Sequence, residues 1–126
     1  MITLKYKNKK YPLFSRKYLK LDKPVMVGFI LLILFNALDI ITTYFAIGLG
    51  GYEANPFMKP IIQAGLLIAI IVKLLSISII GIILLPIIAM EKNIGVCGLY
   101  SCIGGVLEVV ITNIGVILQL TPGVFR

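Results

Sequence analysis

Apolar residues fill three long stretches of the chain, and polar residues gather in the short intervals between them. The first stretch runs roughly from Val25 to Ile47. About 20 apolar residues on a helix cross a hydrocarbon layer of about 30 Å, so this stretch predicts a transmembrane helix. Gly48, Gly50 and Gly51 end it, and the loop then reads Tyr52-Glu53-Ala54-Asn55-Pro56. Asn before Pro is a helix-start signal: the Asn side chain accepts from unpaired amides, and Pro suits the first helical position. A helix from Pro56 to Met90 would be about 50 Å long at ~1.5 Å per residue, too long for an upright span. Pro60 and Pro86 are therefore expected to divide it, into an interfacial turn near 56–60 and a tilted or kinked span over about 61–89. Glu91 to Gly95 predicts a tight turn. A third span follows over about 94–120, stopped by Thr121, Pro122 and Gly123.

The pattern predicts an all-α integral membrane protein. It has a basic tail at 1–24, three transmembrane helices at 25–47, 61–89 and 94–120, and a short end at 121–126. No internal repeat or low-complexity segment interrupts it.

Composition sharpens this picture. Apolar residues make up 60% of the chain and charged residues 13%, against about 45–50% and about 25% in an average soluble domain. Mean hydropathy is +1.07. So few polar residues could not cover a water-facing surface, whereas a bilayer makes no such demand.

The net charge of +7 would suggest a nucleic-acid partner if it were spread over the surface. It is concentrated instead. Lys5, Lys7, Lys9, Lys10, Arg16, Lys17, Lys20 and Lys23 all precede the first span. Lys59 is alone in the first loop, Lys92 is in the second, and Arg126 ends the chain. This asymmetry predicts a cytoplasmic N-terminus, an external C-terminus and a multi-pass place in the cell membrane. Tyr11, Phe14, Tyr18 and Leu21 recur at helical spacing among the tail's cations. They suggest either a helix lying on anionic headgroups or an unstructured positive-inside tail. The tail has no apolar core with a small-residue cleavage site, so it does not read as a signal peptide.

Little here supports common enzyme chemistry. The chain has no His, which removes the usual general base and transition-metal ligand. Cys97 and Cys102 would lie about 140° apart on a helix and read as small apolar residues rather than a disulfide. No cofactor is expected, and the metal question stays open.

The informative residues are those the spans fail to exclude. Asp39, Lys73 and Glu108 are ionisable residues in three different spans. Charges at that depth are costly and mark functional sites by default. Counting helical rises from the loop end of each span puts them about 14, 18 and 18 Å deep, effectively one level. Asn36, Asp39 and Thr43 share a face of the first helix, and Ala69, Lys73 and Ser76 share one on the second. On the third, Cys97, Ser101, Gly104, Gly105, Glu108, Thr112, Gly115 and Gln119 form one stripe. Small residues at this spacing let helices approach closely in lipid, so Glu108 is expected in a helix–helix contact, with Asn113 about 140° away. The expected buried polar cluster is Asn36, Asp39, Thr43, Lys73, Ser76, Glu108 and Asn113. Two carboxylates and one ammonium leave one excess negative charge, open to a proton or a cation. The plainer alternative is that the charges only hold the helices together.

The run Asn36-Ala-Leu-Asp39-Ile-Ile-Thr42-Thr43, followed by Glu53-Ala-Asn55-Pro56, resembles a family of small uncharacterised archaeal and bacterial membrane proteins. That family is described only as a domain of unknown function. Its pattern joins an Asp and Thr in an early span to a Glu-x-Asn-Pro loop, a Lys in the next span and an Asn in the last. Lys73 and Asn113 match the last two, and the resemblance covers roughly residues 30–118. It implies that Asp39, Thr43, Glu53, Asn55, Pro56, Lys73 and Asn113 act together, and it brings no activity with it. Glu108 has no counterpart in the pattern. Glu53 on its own reads first as a helix-cap carboxylate, and the rival reading is a group folded over the outer mouth of the polar cluster.

Three readings of function follow. The first is proton or cation transport or permeation, which needs a homo-oligomer or larger membrane complex because three helices enclose no pathway. The second is a structural, assembly or lipid-interacting subunit. The third, an intramembrane enzyme, has no recognised nucleophile or metal motif behind it, and the reading leans away from it. Membrane lipids are the expected partners, with anionic headgroups on the tail, and nucleic acid is not.

Overall fold

The structure, a computed structural model, describes residues 3–7, 9–12 and 22–121. Two short strands, β1 (Thr3–Tyr6) and β2 (Lys9–Pro12), pair antiparallel, with Leu4 opposite Tyr11. Lys7 takes a left-handed φ of 46° where the strands turn. Tyr11 and Pro12 thus stand in a strand. The rest of the tail helix considered above, at 13–21, lies outside the described residues, as does the chain end at 122–126.

Among the described residues four helices follow: α1 (Lys23–Gly48), α2 (Met58–Gln63), α3 (Leu66–Met90) and α4 (Lys92–Leu120). The chain is a multi-pass membrane protein: α1, α3 and α4 are each long and apolar enough to cross a bilayer. They alternate in direction, so the tail and the α3–α4 turn share one side. The α1–α2 loop and the end of α4 share the other.

Proline and glycine divide the middle of the chain differently from expectation. Pro60 is the third residue of α2 and does not break it. Amides in a first helical turn have no partner within the helix, so a missing N–H there costs nothing. The break falls at Gly65, whose φ of +118° a side chain would resist. The second span therefore begins at Leu66 rather than near Ile61. Pro86 sits inside α3 without ending it. At the far end the turn is tighter than 91–95: only Glu91 separates α3 from α4.

Packing explains that tightness. A Cβ on Gly95 would stand 2.4 Å from Ile88 Cγ1 and 2.6 Å from the Ile88 amide nitrogen. Nothing larger than glycine lets α4 leave the turn so close to α3. Gly28 does the same for α1, where a Cβ would meet Leu99 Cδ2 at 2.5 Å. The apolar core lies in this half of the bundle, where Leu32, Leu84, Leu99 and Ile103 are buried together. α4 is the central helix, packed along α1 on one side and α3 on another. α1 and α3 meet far less, which leaves an apolar groove between them.

Polar ties fasten the turn side. Lys7 Nζ donates to Glu91 at 2.6 Å, Lys92 pairs with Asp22, and Tyr100 Oη donates to the Pro24 carbonyl at 3.2 Å. These are surface interactions, worth at most about 1 kcal/mol each.

Candidate functional site

The other half of the bundle is held by polar groups. Asp39 lies on the buried face of α1 with Asn36 and Thr43, one helical turn apart on either side. Only 8% of its side chain is exposed. A carboxylate at that depth requires a counter-charge, and Lys73 of α3 supplies it: Nζ donates to Oδ2. The second oxygen, Oδ1, accepts from Thr43 Oγ1 and from Asn113 Nδ2 of α4, each at 3.3 Å. Asn113 Nδ2 also reaches Thr43 Oγ1 at 2.9 Å and Thr42 Oγ1 at 3.2 Å. All three membrane-spanning helices thus converge on one carboxylate. Among the described residues, no buried side-chain nitrogen or oxygen lacks a hydrogen-bond partner.

The loop after α1 reaches the same place. Glu53 accepts the Asn55 amide at 2.8 Å, and Asn55 Oδ1 accepts the Phe57 amide at 3.0 Å. The Asn55 carbonyl accepts from the Met58 and Lys59 amides, which starts α2. Tyr44 Oη then donates to the Ile62 carbonyl at 3.2 Å, fastening α2 against α1. Folded this way, Glu53 and Asn55 line a cavity of about 150 Å³ together with Asp39, Thr43, Tyr44 and Lys73. Glu53 therefore serves both as a turn-forming acceptor and as part of this cavity's wall. A second, larger hollow of about 320 Å³ adjoins it, bordered by Thr43, Glu53, Glu108 and Asn113.

The charged groups on the smaller cavity are two carboxylates, Asp39 and Glu53, and one ammonium, Lys73. Their sum is one negative charge. An ammonium carries three donors, and Lys73 directs one to Asp39. Lys73 lines the α1–α3 groove as well as the cavity.

Three residues expected in the cluster stand apart from it. Asn36 is buried, but its amide donates to the Leu32 carbonyl of its own helix at 2.8 Å, and it lines the groove instead. Ser76 is exposed and returns its hydroxyl to the Val72 carbonyl, the usual habit of a helical serine in lipid. Glu108 is exposed, and its carboxylate makes no hydrogen bond or ion pair among the described residues. Most of its stripe on α4 is exposed. The face that α4 buries carries Gly95, Leu99, Ile103 and Val110, nearly opposite Glu108 at ~100° per residue. The expectation that Glu108 fills a contact within the bundle is corrected: Asn113, not Glu108, turns toward Asp39.

Sequence reasoning passed over Thr42 and Tyr44. Both lie within a turn of Asp39, and a hydroxyl so placed was the available signal. Among the described residues, no group of three Cys, Asp or Glu side chains is arranged to hold a metal ion.

No curated protein and no solved structure matches the chain. A family match spans residues 30–119, which takes in Asp39, Glu53, Asn55, Lys73 and Asn113. With that match covering well over half its length, the chain belongs to the family described as a domain of unknown function (DUF5658).

Proposed function

We propose that this protein is a permeation component for protons or small cations, acting as an oligomer in the cell membrane with its N-terminus in the cytoplasm. The observation that carries the reading is the buried Asp39–Lys73 pair beside a cavity that Glu53 also lines. A neutral pair with a second carboxylate at its side leaves one negative charge to be met by a mobile cation. Thr43, Tyr44 and Asn55 supply oxygens that can replace part of a cation's water shell. Glu108 borders the adjoining hollow and adds a further carboxylate to its wall. Three helices enclose no continuous path, so the rest of the wall comes from further copies. The basic tail would hold the turn side against anionic headgroups.

The test is flux in proteoliposomes under a pH gradient or a sodium or potassium gradient. Wild-type protein should dissipate at least one of these gradients. Asp39→Asn, if it retains wild-type helicity, should fall to the rate of protein-free vesicles. No flux from the wild type would refute the reading.

A second reading has its own observation. Because every buried polar atom among the described residues is paired, the cluster could serve only to fix the three helices for assembly with a partner. That reading predicts no flux from wild type or variant, and loss of assembly when the cluster is changed.

A further inference from the structure

The outward stripe of α4 and the groove between α1 and α3 are complementary, and we propose that they join neighbouring copies of this chain. In the contact, Glu108 of one copy enters the groove of the next and accepts a hydrogen bond from Asn36 there. This deepens the oligomeric part of the proposed function by naming the interface, but it stands whether or not ions cross.

Three observations carry it. First, Glu108 is an ionisable group on the lipid-facing side of a spanning helix, with no partner among the described residues. A carboxylate in hydrocarbon is costly enough to require a hydrogen-bond donor or a cation. Second, the residues around it cannot serve packing within one chain. A Cβ added at Gly104 or Gly105 would have no atom within 4 Å. By contrast, one at Gly95 or Gly28 would collide with a neighbour. Glycines that nothing approaches, on either side of a turn from a polar residue, are suited to a second helix laid against them.

Third, the groove offers what Glu108 lacks, at the right depth. It has a volume of about 360 Å³ and walls of isoleucine and leucine, with Asn36 and Lys73 as its polar groups. Asn36 directs an amide N–H to Leu32, and a carboxamide nitrogen has two hydrogens. Asn113 fixes the relative height of α4 and α1 through its bond to Asp39. Glu108 lies five residues from Asn113 toward the turn side, about 7–8 Å. Asn36 lies three residues from Asp39 in the same direction, about 4–5 Å. Side chains lean toward their helix N-terminus, and α1 and α4 run the same way. Glu108 and Asn36 therefore lean to the same side and stay level to within a helical turn. Lys73 leans the opposite way from α3, so it contributes its charge to the groove rather than a direct bond.

The stripe and the groove are different surfaces of one chain, so the contact is head-to-tail. It closes into a ring when the rotation between copies permits. A two-fold contact of stripe on stripe would instead bring two Glu108 carboxyls together.

Cysteine crosslinking of the full chain in lipid vesicles separates these cases. Cys97 and Cys102 are first replaced by Ser. Ile33→Cys places a thiol in the groove and Gly105→Cys one on the stripe, both at exposed positions and within about 3 Å of one height. The double variant should give a ladder of crosslinked species under mild oxidation. Each single variant should remain uncrosslinked. Adding Glu108→Ile to the double variant should remove most of the ladder. Dimers from Gly105→Cys alone would overturn the proposal in favour of stripe-on-stripe pairing. A double variant that is helical by circular dichroism yet uncrosslinked would overturn it outright. Flux is not part of this readout, so failure of the permeation reading leaves it intact.

Discussion

Replacing Lys73 by Met removes an ammonium but little volume, and it leaves Asp39 in place with 8% of its side chain exposed. The carboxylate then keeps two hydrogen bonds, from Thr43 and Asn113, each at 3.3 Å. Breaking a buried ion pair from one side costs about 3–5 kcal/mol, because the remaining charge stays desolvated. The Asn113 bond is interhelical, and such bonds in bilayers contribute only about 0.6 kcal/mol each; with the Thr43 bond, which lies within α1, the survivors offset at most about 1 kcal/mol of that. Lys73→Met should therefore destabilise the fold by about 2–4 kcal/mol. Asp39→Asn should act in the same direction but less, since Lys73 is 20% exposed and its ammonium can shift toward the groove. The double variant leaves no charge behind. Its destabilisation should be smaller than the sum of the singles by about 1–3 kcal/mol, the usual range for residues in direct contact. The assay is the equilibrium between helical and SDS-unfolded protein in mixed micelles, followed by circular dichroism. Strict additivity of the two singles would refute the idea that the pair is the main bond between α1 and α3.

Other predictions rest on single features. Gly95→Ala should destabilise the fold by about 2 kcal/mol or more in the same titration, because the new carbon overlaps the Ile88 backbone as well as its side chain. Gly104→Ala, on the same helix, should leave monomer stability within about 0.5 kcal/mol, since nothing lies near it. Tyr44→Phe should cost about 1 kcal/mol by removing the hydroxyl's bond to the Ile62 carbonyl, which keeps the Gly65 amide as a donor. It should also speed proteolysis in the α1–α2 loop. Lys92→Ala should cost less than about 1 kcal/mol, and that difference should shrink as salt rises.

The three spans were legible because their length and apolarity leave no alternative to a bilayer. Asp39, Lys73 and Asn113 stood out for the same reason, as polar groups where polar groups are expensive, and the structure joins them. The placement of Glu108 was not legible. In water the polar face of a helix turns outward. In lipid either an apolar face or a small polar stripe can be the one that packs. Periodicity reveals a stripe on α4 but not its sign. Leu99, Ile103 and Val110 fill the contacts inside this bundle, and the polar stripe is left outside. The break at Gly65 was missed for a different reason. Proline is the usual punctuation in such a run, yet Pro60 falls in a first turn, where helices tolerate it, and Pro86 sits inside α3 without ending it.

The central claim is that a small cation reaches the Asp39–Lys73 pair through the cavity that Glu53 lines. The most direct measurement is the rate at which a thiol at Thr43, which borders both hollows, reacts with thiosulfonate reagents added from the loop side. The chain carries Thr43→Cys with Cys97 and Cys102 replaced by Ser, and the reagents are a cationic and an anionic one of equal size. With one net negative charge on the cavity wall, the cationic reagent should react faster by about tenfold or more. Glu53→Gln should remove most of that preference. Equal rates for the two reagents, or no reaction with either, would contradict the account.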